Sequence, residues 1–415
     1  MTLSENLTWR GFIKDKTFDD LAWLDTPQTF YLGSDCSSDS LAIGNLAVYM
    51  LARHLAEAGW KTVLLVGGAT SLIGDPGGKD EERQLKSKEE IEHNVAGIEA
   101  QVRRLFAHNE FELVNNYDWF KDMGYLEFLR DVGKHFSMTE LVQRDFIATR
   151  MGEGAAGISY AEFSYSLIQG YDYYWLHEHK GVVLQIGGSD QWGNMLSGAP
   201  LIRKKTGKEV HALSMPLIIN KVTGKKFGKS EEGAVWLDPA KTTPTQFYQF
   251  WINVDDADVE SHLKFYTLLS KENIENIMRE HSQDPKKRKA QEALATAVTQ
   301  IVHGDEQMLV AKRVTEVIVN QQALALADHP EVLESLRKEI PSTKATDTAQ
   351  LADVLVATGL CGSKSEARQL LAGNAIYLNG QPTSKEALTP EDFQNGLLLL
   401  RKGKVLKNTA LIERM

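Results

Sequence analysis

The sequence predicts an α/β fold built on a parallel sheet, then an all-α segment, then a small α+β end. Three observations carry this. Three apolar runs in the first half each end in glycine. The first two are joined by a segment with helical spacing. From about residue 244 the strand signals stop, and they return only near the end of the chain.

Thr29-Phe30-Tyr31-Leu32-Gly33 reads as a short buried strand. Leu46 to Ala58 reads as a helix, because Val48, Leu51, Leu55 and Ala58 make one apolar stripe. Gly59 is its stop. Thr62-Val63-Leu64-Leu65-Val66 is the second strand, closed by Gly67-Gly68, so the three elements form a βαβ unit and imply a parallel sheet. Val182-Val183-Leu184-Gln185-Ile186 is the third, ending at Gly187-Gly188. Ligands of open parallel sheets sit beyond the carboxyl ends of the strands, and glycine there admits close backbone approach. Tight turns alone would also explain any one of these glycines.

Thr243-Pro244-Thr245-Gln246 carries a cap residue, proline at the first helical position and glutamine at the third, which starts the helical part. Pro330 and Pro341 mark a looser linker. Ala349–Thr358 and Ser363–Ala372 read as short helices, and Ala375-Ile376-Tyr377-Leu378 runs into the hairpin signal Asn379-Gly380. Leu397-Leu398-Leu399-Leu400 follows. The expected division is 1–225, a connector at 226–242, a helical domain at 243–328, a linker at 329–347 and a small domain at 348–415.

The 415 residues carry a formal net charge of −10, with 42% hydrophobic residues. No apolar run reaches the roughly 18–20 residues that span a bilayer, and the start Met1-Thr2-Leu3-Ser4-Glu5-Asn6 lacks a signal-peptide pattern. Cys36 and Cys361 are the only cysteines, so neither a disulfide framework nor a four-ligand zinc site is expected, and a reducing cytoplasm fits. No membrane or DNA partner is expected. The acidic balance argues against a protein that coats nucleic acid. It leaves room for local basic patches, at Lys286-Lys287-Arg288-Lys289 and at Arg401-Lys402-Gly403-Lys404 with Lys407. A solvated surface is the commoner meaning of such runs.

Three clusters suggest chemistry. Tyr31 to Leu46 runs from a strand end through a loop into a helix start, where free N–H groups and the dipole favour an anion. No Walker loop is present, so phosphates would be held by this different turn. Lys226-Phe227-Gly228-Lys229-Ser230 sets two lysines about a glycine, which suits clamping a departing polyphosphate, although a solvated basic loop would look the same. Tyr165, Gln169 and Asp172 share a helix face, and Asp190-Gln191-Trp192 follows the third strand. These groups suit an ammonium, a carboxylate and a phenol.

With these residues in view, the chain resembles bacterial tyrosyl-tRNA synthetases, which are class I enzymes. The likeness runs over nearly its whole length. It includes Leu65-Val66-Gly67-Gly68-Ala69-Thr70, Leu72-Ile73-Gly74-Asp75-Pro76, Asn116-Tyr117-Asp118-Trp119, Val132-Gly133-Lys134-His135-Phe136-Ser137 and Gln185 to Asn194. Lys226 to Ser230 looks like the family's lysine-serine signature loop. The resemblance implies a Rossmann-type catalytic domain, a helical tRNA-recognition domain and a small RNA-binding domain. It implies L-tyrosine, ATP with Mg2+, and tRNA(Tyr) as substrates, no protein-bound metal, and a homodimer. It would put Tyr31 and Asp172 on the phenolic hydroxyl and Asp75, Tyr165 and Gln169 on the ammonium group. Asp35 and Gln191 would line the tyrosyl-adenylate site. Gly188 and Asp190 would lie near the ribose, with Gly33, Gly44 and Ser230 on the nucleotide side. Ser37, Asn45, Lys79, Arg83, Lys226 and Lys229 would meet the phosphates. Selection against phenylalanine would come from Tyr31 and Asp172, which a ring without a hydroxyl leaves unpaired.

The sequence departs from the family at its first signature. That signature normally begins with histidine, and here it reads Ala42-Ile43-Gly44-Asn45. Alanine cannot donate to a phosphate oxygen, and losing one such donor costs on the order of 10²–10³ in rate. Three explanations are open at this level: a remodelled loop with other donors, a deliberate change, or a paralogue that binds RNA or tyrosine with weak or no adenylation. The retained lysine-serine loop argues against full decay.

Overall fold

The computed structural model describes residues 1–75, 86–143, 145–151, 157–224, 226–230, 233–321, 323, 329–403, 405 and 408–415. Two compact units emerge: Met1–Lys241 with Val254–Ala290, and Thr242–Asn253 with Gln291–Met415.

The first unit is built on a six-stranded sheet in the order β1-β6-β5-β2-β3-β4. The strands are β1 (Asp15–Lys16), β2 (Thr29–Asp35), β3 (Lys61–Gly67), β4 (Phe111–Asn115), β5 (Leu184–Gly188) and β6 (His211–Met215). All neighbours run parallel except β1 on β6. The expected parallel sheet and its first βαβ unit are therefore present. The linking helix is Ile43–Glu57, three residues longer at its start than the apolar stripe suggests. β2 continues through Gly33 to Asp35, because β3 keeps pairing it as far as Asp35 on Gly67.

The chain leaves β2 in one direction for β3 and β4 and returns on the other side as β5 and β6, so the topological switch lies between β2 and β5. Their ladder stops at Leu32 on Ile186. Beyond it the two strands part, and the carboxyl end of the sheet opens into a crevice there, where such sheets bind ligands.

In the second unit Thr243 caps the helix Pro244–Ile252, with Pro244 in the first turn and Gln246 closing the box. The long helix Lys289–Asn320 is interrupted at Gly304, whose φ is 83°. The stretch 329–347, expected as a linker, instead holds the helix Pro330–Glu339 and strand β9 (Ser342–Ala345). Pro330 opens that helix, where its missing N–H costs nothing. A five-stranded sheet, β11-β10-β12-β13-β9, completes the unit. Its remaining strands are β10 (Ile376–Leu378), β11 (Gln381–Thr383), β12 (Leu397–Lys402) and β13 (Thr409–Arg414). The Asn379-Gly380 hairpin is present, with both residues at positive φ. The unbroken leucine run of β12 serves two cores. Leu398 and Leu400 pack with the helices Leu351–Ala357 and Lys364–Ala372, and Leu397 and Leu399 pack with Val332 and Leu336. Lys404 and Lys407 lie outside the described residues.

Candidate active site

The crevice between β2 and β5 is a cavity of about 820 Å³. It is lined by Tyr31, Gly33, Asp35, Ser37, Gly44, Asn45, Asp75, Tyr165, Gln169, Asp172, Gly188, Asp190, Gln191 and Lys226. The structure thus brings together fourteen positions singled out from sequence. Lys79 and Arg83 lie outside the described residues. Lys229 and Ser230 form strand β7, paired with β8 (Gly233–Ala234).

The inner end of the cavity is a closed polar pocket. Asp172, on the helix Tyr160–Lys180, is almost wholly buried. Its Oδ1 accepts the indole N–H of Trp119 at 2.9 Å and its Oδ2 accepts Asn116 Nδ2 at 3.1 Å. Asn116 is held in turn by the Ala69 N–H at 2.7 Å. Burial pushes the Asp172 carboxyl up to about 7, against the lowering effect of those two donors. Tyr31 comes from β2, is 1% exposed, and its Oη has no hydrogen-bond partner among the described residues. Burial and then the Asp172 charge push the Tyr31 phenol well above its ordinary range, so it stays protonated. A buried hydroxyl without a partner costs free energy, and a ligand hydroxyl placed beside it would recover that.

Asp75 lies further out and is also buried. Gln191 Nε2 donates to it at 2.6 Å and Asn194 Nδ2 at 3.3 Å, and Ser166 fixes Asn194 at 2.9 Å. This gives a fixed, buried carboxylate, a group whose charge suits an ammonium group. Gln169 and Tyr165 stand one and two turns before Asp172 on the same helix.

At the outer end, the loop after β2 leads into the helix Ile43–Glu57. Ser71 ties this loop down, donating to Asp35 Oδ1 and accepting the Cys36 N–H at 2.8 Å. Asn94 Nδ2 holds the Cys36 carbonyl at 2.8 Å. Burial pushes the Cys36 thiol up to about 12, so it is a packing group rather than a nucleophile. Asn45 Oδ1 accepts the Ala42 N–H at 3.0 Å, which leaves the amide's own donors for the cavity. The Ile43 N–H is taken by Val235 O at 2.9 Å, Asn45 and Leu46 turn back on Ala42 O, and Gly44 lines the cavity. Gly228 sits over Gly44 at a φ of 115°, and a Cβ there would meet the Gly44 nitrogen at 3.0 Å. The Lys226-to-Ser230 loop therefore rests directly on the helix terminus, with Lys226 Nζ 3.0 Å from Asp190 Oδ2.

Known proteins share this chain's sequence pattern and fold. The sequence pattern of the family described as "tRNA synthetases class I (W and Y)" matches residues 25–320. The chain belongs to the class I tRNA synthetase family. A second pattern, "Tyrosine--tRNA ligase SYY-like C-terminal domain", matches residues 332–411. A tyrosine–tRNA ligase of Listeria monocytogenes is 40% identical over 97% of this chain and 98% of its own length. One of Lactobacillus johnsonii is 42% identical over 96% of each. Among solved structures, a C-terminally truncated mitochondrial tyrosyl-tRNA synthetase of Aspergillus nidulans superposes with a TM-score of 0.69 at 29% identity. It covers 76% of this chain and 93% of that one.

Four site residues escaped the sequence reading of this family member: Asn116, Trp119, Asn194 and Ser71. Three of them stood inside motif stretches. No spacing rule pairs Trp119 with Asp172, since their contact crosses 53 positions of chain.

Proposed function

We propose that this chain is a tyrosine–tRNA ligase, which activates L-tyrosine with ATP and then loads it onto the 3' end of tRNA(Tyr). The observation that carries the reading is the inner pocket. There a buried Tyr31 hydroxyl, without a partner among the described residues, lies within the field of the buried acceptor Asp172, a pair matched to a phenol.

The carboxylate of tyrosine attacks the α-phosphorus of ATP, an α-phosphate P–O bond breaks, and pyrophosphate leaves with its electron pair. Little covalent help is needed, so the site works by positioning and by offsetting charge on phosphoryl oxygens. Tyr31 and Asp172 fix the phenol. Asp75, with Tyr165, Gln169 and Gln191, holds the ammonium group, which aims the carboxylate outward. Asp35, Gly33, Gly188 and Asp190 take the nucleoside. Ser37, Asn45 and the Gly44 N–H take phosphate oxygens, with Lys226 and Lys229 on the departing pyrophosphate and Lys79 and Arg83 from the segment after Asp75. Mg2+ enters with ATP as its complex, held by phosphate oxygens and waters. Among the described residues no three His, Cys, Asp or Glu side chains are grouped to hold an ion of their own.

The unit ending in β13 would grip the tRNA, as its match to a ligase C-terminal domain supports. A homodimer in the cytoplasm completes the reading. Tyr125, Leu126, Met138, Met151 and Tyr160 are each exposed, and the Tyr125 and Tyr160 hydroxyls meet at 3.4 Å; exposed apolar side chains concentrated in one stretch of chain fit a partner surface. Among the described residues no helix is long and apolar enough to cross a membrane.

Tyrosine-dependent ATP–pyrophosphate exchange tests the proposal. Exchange that requires tyrosine and is not supported by phenylalanine or tryptophan is expected. Tyrosine binding without any exchange at micromolar enzyme would leave the non-catalytic paralogue instead.

A further inference from the structure

Trp119 is a weakly anchored residue in a demanding position. Its helix, Tyr117–Phe120, is a single turn without a side-chain cap. Yet its indole N–H supplies one of the two hydrogen bonds to the Asp172 carboxylate. What fixes the ring is a second tryptophan. Trp175 lies one turn beyond Asp172 on the helix Tyr160–Lys180 and stacks on Trp119 with ring centres 4.2 Å apart and planes within 13°. His179, one turn further, stacks on the other face of Trp175 at 4.2 Å and 15°, and its Nδ1 meets the Trp175 carbonyl at 2.8 Å. Both tryptophans pack against the buried cluster that contains Tyr31.

We propose that Trp175 is a specificity-determining positioning residue: by stacking on Trp119 it holds the indole N–H on Asp172, and so keeps that carboxylate aimed at the substrate's phenol. This rests on the tyrosine reading above. The chemistry follows from the donor count. Among the described residues each carboxylate oxygen of Asp172 has one donor. If the Trp119 ring swings away, one oxygen loses its donor inside an apolar wall. The carboxyl then rotates or takes up a proton, and its preference for a hydroxyl over a hydrogen on the substrate ring falls. His179 closes the outer face of the column and limits the tilt of Trp175.

The test is tyrosine-dependent and phenylalanine-dependent ATP–pyrophosphate exchange by the full-length enzyme and its Trp175→Ala, Trp175→Phe and Trp119→Phe variants. Trp175→Ala should raise the KM for tyrosine and lower tyrosine-over-phenylalanine discrimination by about tenfold or more, the scale of one hydrogen bond to a charged group. The KM for ATP should not change. Trp175→Phe keeps a stacking face and should restore discrimination to within about threefold of the parent. Trp119→Phe keeps an aromatic face for stacking but lacks the N–H, and should match Trp175→Ala. The double variant Trp119→Phe/Trp175→Ala should be no worse than Trp119→Phe alone, because both act on the same bond. Discrimination unchanged in Trp175→Ala, or losses that simply add in the double variant, would overturn the assignment. An unchanged parent that exchanges with tyrosine in the same assay separates that result from failure of the tyrosine reading, which would show as no exchange by the parent and would remove both.

Discussion

The Lys226 ammonium lies 3.0 Å from the Asp190 carboxylate, across the mouth of the cavity. Lys226 comes from the loop resting on the helix Ile43–Glu57, and Asp190 from the turn after β5. Both side chains are about half exposed, so the pair contributes little, about 0–1 kcal/mol. On the proposed reading an incoming nucleotide would therefore part them cheaply, the ribose taking Asp190 and the phosphates taking Lys226. Lys226→Ala should lower kcat for pyrophosphate exchange by about 10²–10³. Its unfolding free energy without ATP should stay within about 0.5 kcal/mol of the parent. Denaturant unfolding beside exchange kinetics checks both; a large loss of stability would make the lysine a structural group.

Asp172 links pH to both stability and binding. Its carboxyl ordinarily titrates near 3.8 and is pushed up to about 7 by burial. Between those values the folded protein holds a proton that the unfolded chain has lost, so this group makes the free protein less stable as pH rises from about 4 to about 7. Asp172→Asn removes the effect. The parent should therefore lose thermal stability relative to Asp172→Asn between pH 5 and pH 8, measured without substrate. On the proposed reading the tyrosine hydroxyl donates to the ionised carboxylate, so the KM for tyrosine should rise as pH falls below about 7, with a one-proton slope absent in Asp172→Asn. A flat KM from pH 5 to 8 would show that Asp172 stays charged throughout.

The parts of this architecture legible in sequence were those written in local pattern. Apolar runs closed by glycine marked β2, β3 and β5, and Thr243-Pro244 marked a helix start, because strand burial and helix capping act over a few residues. Residues 329–347 show the opposite case. Pro330 suggests a breaker but opens a helix, and Ser342-Thr343-Lys344-Ala345 has no strand signal of its own. It becomes β9 because β13, over sixty residues later, offers it a parallel edge. The donors to Asp172 and Asp75 were hidden for the same reason. Asn116, Trp119 and Asn194 are unremarkable polar and aromatic residues until the fold brings them to a buried carboxylate.

The exposed side chains of Tyr125, Leu126, Met138, Met151 and Tyr160 fit the proposed homodimer, and Leu126, 79% exposed, is the most open of them. Leu126→Lys should shift the mass measured by light scattering behind size exclusion from about two chains toward one. A like charge on both copies is hard to bury at a two-fold interface. A parent already monomeric at micromolar concentration would dispose of the dimer.

Ala42 gives the sharpest prediction about rate. It sits at the N-cap of the helix Ile43–Glu57 with extended backbone, φ −104° and ψ 166°, a conformation open to any residue. Its small side chain borders the cavity, and its N–H is already taken by Asn45. Around it Gly44 lines the cavity, Gly228 packs on Gly44, and Lys226 borders the same cavity. That arrangement fits a site short of one donor better than a rebuilt one. Ala42→His should raise kcat for pyrophosphate exchange by about 10²-fold, the worth of a single donor to transition-state charge. The KM for tyrosine should hardly change, since the inner pocket lies at the other end of the cavity. Exchange kinetics of the two proteins at saturating ATP decide the matter. An unchanged kcat would mean that Ser37, Asn45 and the Gly44 N–H already supply what histidine gives elsewhere in the family.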